Sequence, residues 1–192
     1  MSVADRSLLD RVTRGISRPG AGAPPGVTAS ILKQAAIAYG ARPIIDEATV
    51  PTGFDPAAAA LFEAVVEAAF LVANSDGVFD DEERAAFQLV VSSACSDLVQ
   101  LSQLQALVAD FCEQLLEDGI EKRARMVART ITRREHQHEV LRISALMAHI
   151  SGGVNDHERN VMEHLAGGFK LDRAAIDNAL DEAKLALAVE DR

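Results

Sequence analysis

Tryptophan is absent from this chain of 192 residues, tyrosine occurs once, and aromatics make up only 4% of it. A core must therefore be assembled from Ala, Leu, Val and Ile, a mixture that suits packed helices better than strands of period two. Cysteine is nearly missing as well. Cys95 and Cys112 form no CxxC motif and no disulfide framework, and in apolar helical surroundings both read as buried free thiols. Positive charge is scarce: 19 Lys and Arg face 29 Asp and Glu, and the formal net charge of −10 disfavours nucleic acid as a partner. No apolar run reaches bilayer length. The start, MSVADRSLLDRVTRG, lacks the apolar core of a signal peptide, so the cytoplasm is the expected compartment. Also missing are GxGxxG, a P-loop and a nucleophile elbow, which removes the common signals of nucleotide binding and acyl transfer.

What remains is dense helical patterning, and the spacing predicts an all-α protein, a compact bundle of about seven to nine helices. Residues 5–16 predict a short amphipathic helix with Leu8, Leu9, Val12 and Ile16 on one side. SRPGAGAPPG then forbids helix, so residues 1–27 read as an amphipathic helix on a flexible linker, and 28–192 as the helical domain. A helix is expected from Thr28 to Tyr39, ended by Gly40, and an irregular connection over 41–56. Asp55 and Pro56 then mark a helix start. Further helices follow from Asp81, from Ser102 to a stop at Gly119, and over 121–132. Thr132 and Glu135, at capping-box spacing, open the next; the last two are expected over Asp156–Phe169 and Arg173–Val189.

Shifted by 75 positions, ANSDGVFDDEER (73–84) falls without a gap on AHISGGVNDHER (148–159). Apolar flanks agree too, which predicts a pseudo-twofold helix-turn-helix repeat with cores over 57–95 and 132–170. The stretch LVANSDGVFDDEERAAF and the helices after it, over about 57–189, resemble the TerB-like family, small all-helical proteins linked to tellurite resistance. The family's hallmark turn is complete in the first copy, with Asp76, Gly77, Asp80 and Glu83; in the second, Ser151 and Asn155 replace two acids. The resemblance implies a non-enzymatic stress-response module with an acidic surface able to bind divalent cations.

The same residues argue for a cation on their own chemistry. Counted from Val72, Asn74, Asp76, Asp80 and Glu83 fall at ligand positions of an EF-hand loop. Val72 occupies the first position, where a carboxylate belongs, so Ca²⁺ or Mg²⁺ affinity is expected to be weak, on the order of 10⁻⁴ to 10⁻³ M. The competing reading is architectural: Gly77 turns the chain, Asp80 caps the next helix, and Glu83 closes a capping box. An enzyme reading, a metal-dependent hydrolase or oxidase using the acids with His138, rests on one Glu135-x-x-His138 pair with no second pair to match it.

Two further features suit protein partners. Arg125, Arg129 and Arg133 recur every four residues as a basic stripe, able to dock an acidic surface or the acidic turn of a second copy in a homodimer. The helix carrying Leu8, Leu9 and Val12 suits a partner's groove, and suits peripheral membrane contact less because no aromatic anchors it. A metal-independent adaptor built on these two features is the alternative to the cation-binding module.

Overall fold

The computed structural model describes residues 6–41, 55–151 and 153–188. Among them are eight α-helices and no strand: α1 (Arg6–Ser17), α2 (Ile31–Gly40), α3 (Pro56–Ala73), α4 (Asp81–Ala94), α5 (Leu101–Thr130), α6 (Arg134–Ala148), α7 (Asp156–Phe169) and α8 (Arg173–Ala188). The expected connection over 41–56 and the repeat's Gly152 lie, in all or most part, outside the described residues.

The centre is α3. The Asp55 carboxylate accepts from the amides of Ala57 and Ala58 at 2.9 and 3.3 Å, with Pro56 preset for the first turn. From there the helix is apolar nearly all round, and α2, α5, α6 and α7 enclose it. By length and composition α3 alone among the described helices is apolar enough to cross a bilayer, with a mean hydropathy of 1.8 over 18 residues, but most of it is buried inside the bundle, so it is no clear membrane span. Its enclosure accounts for that hydropathy, because Phe62, Val65, Ala68, Phe70 and Val72 are all fully buried in the bundle.

Few aromatics are available, and they cluster. Phe70 meets Phe79, Phe87 and Phe111 with ring centroids 5.3, 6.4 and 5.7 Å away, so one aromatic knot ties α3, α4, α5 and the turn between α3 and α4.

Helix starts depart from expectation where tertiary partners decide them. α2 begins at Ile31 instead of Thr28, because Ser30 caps Lys33 N at 3.2 Å and Glu139 of α6 accepts from Ile31 N at 3.0 Å. The capping box expected between Thr132 and Glu135 is not formed. Ile131, fully buried, anchors the end of α5, so the chain turns one residue later and Arg133 stands at the α6 N-cap without a side-chain bond. Gln137 Nε2 donates instead to the Ile131 carbonyl at 2.9 Å. Gly119 ends the first stretch of α5 as expected: its φ 72° and ψ 162° are non-helical and lie where only glycine is at ease, and a second helical stretch follows across the kink.

The N-terminal helix is not a tethered appendage. Val12 and Ile16 are fully buried, Leu8 and Leu9 pack against the same core, and α1 lies on α4, α6 and α8. Arg142 of α6, itself buried, donates to the carbonyls of Gly15 at 2.8 Å and Arg18 at 2.6 Å, covering groups that the end of α1 leaves open. Most of the apolar face of α1 is thus turned to the core, with Leu8 and Leu9 half-buried at its margin.

Candidate functional site

The acidic turn is built from its backbone outward. α3 ends at Ala73, and the Asn74 amide bonds back to Phe70 O at 2.9 Å. Gly77 takes φ 78°, the left-handed turn that its sequence position predicts. Asp76 Oδ1 accepts from Val78 N at 2.9 Å, closing a local Asx turn. Phe79 then dives onto the aromatic knot, and Asp80 Oδ1 accepts from Glu83 N at 2.8 Å while Glu83 Oε2 accepts from Asp80 N at 3.2 Å. This is the capping box. Asn155 and Glu158 form the same reciprocal pair at the start of α7.

The twelve-residue EF-hand register does not form. Val72 and Ala73 are still helix and Val72 is fully buried, so the loop lacks its first two residues. One oxygen each of Asp76, Asp80 and Glu83 holds a backbone amide, and among the described residues no group of three or more His, Cys, Asp or Glu side chains is placed to hold a metal ion. The donors do not fit a closed hard-cation cage, which calls for six to eight converging oxygens. Burial raises Glu83 above its ordinary carboxylate value, and the charges of Asp80 and Asp76 push it the same way.

Facing the turn is the kink in α5. Asp118, just before Gly119, accepts from Lys122 Nζ at 2.6 Å and Arg123 Nη1 at 3.2 Å, and these hydrogen bonds hold its carboxyl below the usual range. Arg123 Nε also donates to Glu67 of α3 at 2.6 Å. Both side chains of that pair are nearly buried, and burial raises Glu67. Sequence reasoning missed this pair. Glu67 interrupts the apolar α3 run and Arg123 falls in the basic run EKRAR, but only the fold brings the two together.

Between the turn and the kink lies an open groove of about 940 Å³. Its floor holds Phe79, Leu115 and Ile120, its rim Asp76, Glu121, Lys122 and Arg125, and Leu116 stands 87% exposed at its edge. Of the expected basic stripe, only Arg125 lines this groove, and it pairs with Glu121 at 3.5 Å. Arg129 is exposed further along α5 and touches Met126 Sδ at 3.8 Å, while Arg133 lies beyond the helix end at the α6 N-cap. Asn74 and Asp76 line the groove with Arg125; Asp80 and Glu83 do not. Cys95 is buried and its thiol is pushed up to about 12, which makes it inert.

No family model, curated protein or solved structure matches the chain.

Proposed function

We propose that this chain is a non-enzymatic helical binding module of the TerB-like kind, serving a stress-response assembly, and that it meets a protein partner in the groove between the acidic turn and the α5 kink. The observation that carries this reading is Leu116, 87% exposed on a helix whose other apolar residues are largely turned inward. Leu116 adds to the apolar floor of Phe79, Leu115 and Ile120, and an apolar patch rimmed by polar residues is the kind of surface that marks an interaction site. The mixed charges around it, Asp76 and Glu121 against Lys122 and Arg125, would set the partner's orientation.

A photo-crosslinking residue at position 116, compared with one at exposed Leu89 on α4, tests it in intact cells. A discrete partner captured from 116 and not from 89 supports the reading. Equal or no capture at the two positions would sink it.

A second reading, loose attraction of Ca²⁺ or Mg²⁺ to the turn, rests on the crowding of carboxylates there: burial raises Glu83, and the charges of Asp80 and Asp76 add to it. Calorimetric titration of either ion should then give weak heat that Asp76→Asn/Asp80→Asn removes, and a wild type silent up to millimolar ion excludes it.

A further inference from the structure

Although basic residues are the minority in this chain, four arginines line a single cavity of about 290 Å³. Arg11 and Arg14 come from α1, Arg18 from the residue just after it, and Arg142 from α6; Glu182 of α8 is the one carboxylate in the lining. Arg142 is 95% buried, at 5% exposure. Its two terminal nitrogens serve the carbonyls at the end of α1, but its Nε is buried without an acceptor, and Arg11 Nε is in the same condition. A buried donor without an acceptor is costly, and two of them at one cavity point to an acceptor from outside the chain.

Gly20 keeps the space beside that donor open. A Cβ there would stand 3.2 Å from Arg142 Nε and 3.6 Å from Glu182 Oε2. Since Gly20 is not among the left-handed glycines, room is what its missing side chain supplies. The α1 dipole draws cations to this end of the helix, but Arg142 already meets the terminal carbonyls directly. Burial pulls the Arg142 guanidinium below its ordinary value, against the pull of Glu139, 3.6 Å from Nη2, and of Glu182; neither carboxylate accepts from Nε.

We infer that this cavity binds a phosphate-sized oxyanion, free or as the monoester of a small molecule, held by Arg142, Arg11 and Arg18. At about 290 Å³ the cavity sits at the small end of ligand pockets. Beyond Gly20, Arg142 and Glu182 lies a wider groove of about 1020 Å³ that shares all three residues, where the body of a monoester would rest.

The test is calorimetric titration of inorganic phosphate and of glycerol phosphate into the full chain at constant ionic strength. Saturable binding is expected. Tighter binding of glycerol phosphate marks the monoester as the natural form, and equal or weaker binding marks the free anion. Arg11→Gln/Arg18→Gln should weaken the preferred anion by about tenfold, the scale of one or two lost charge-assisted hydrogen bonds. Glu182→Gln should tighten it several-fold by removing the opposing charge, and Gly20→Val should weaken it by filling the cradle. Arg142 is left intact because it holds α1. Exposed Arg18→Gln alone replaces the double variant if that fails to fold. No saturable heat in the wild type and in Glu182→Gln, unchanged affinity without the arginines, or weaker binding in Glu182→Gln would each overturn the inference.

Discussion

A methyl group is enough to probe two of the glycines, and for opposite reasons. At Gly40 a Cβ would lie 2.1 Å from the Leu98 carbonyl oxygen, which no rotamer can relieve because both groups are backbone. At Gly77 a Cβ meets nothing within 4 Å, and only the φ of 78° resists it. Gly77→Ala should therefore cost about 1–2 kcal/mol, the ordinary left-handed penalty, and Gly40→Ala clearly more; urea midpoints of the two variants decide it. Asp80→Ala should cost about 1 kcal/mol through the lost cap, equally with and without added Ca²⁺, since its bonded oxygen serves the backbone. A cost that grows when Ca²⁺ is added would instead place Asp80 among cation ligands.

Helices are where pattern and packing meet, and the pair joining α3 to α5 shows the energetics. Arg123→Met leaves Glu67 buried without its partner and should destabilise by about 3–5 kcal/mol, whereas Glu67→Gln, which leaves Arg123 its Asp118 contact, should cost less. Denaturant unfolding of both variants ranks them. The helices themselves were legible because 3.6-residue stripes and caps such as Asp55 and Asp80 act locally. The starts of α2 and α6 were not, since Glu139 and buried Ile131 decide them from other elements. Of the acidic turn, its cap and its Gly77 bend were readable. The groove was not, because it needs the α5 kink brought opposite Asp76, and no spacing rule places two segments about forty residues apart in the chain against each other.

For the whole molecule, acid should be tolerated better than its carboxylate count suggests. Burial raises Glu67, Glu83 and Glu139 above 4.5. With folded values above the unfolded one, the native state holds more protons in that interval, so their contribution to stability is present below about pH 4.5 and is lost as pH rises through the folded values. Self-repulsion of the net charge of −10 grows in the same direction. Asp118, held low by Lys122 and Arg123, opposes them only below its ordinary 3.8. Melting temperature should thus rise as pH falls through the folded values of these carboxylates toward 4.5, and Glu67→Gln should flatten that rise; His136, which burial holds below its ordinary 6.5, works against it on the way down from neutrality. Removing residues 1–17 should lower the melting temperature sharply, because Val12 and Ile16 leave the core; an unchanged melt would show α1 to be dispensable.

The bond from Arg142 to Gly15 spans 127 residues of chain. During synthesis the guanidinium that holds the end of α1 is made that many residues after Gly15. α2 and α4 follow soonest to cover part of α1, but until α6 and α8 are made the rest of its apolar face stays exposed to chaperones and to neighbouring nascent chains. In this fold α1 cannot settle fully until helices made long after it have joined it.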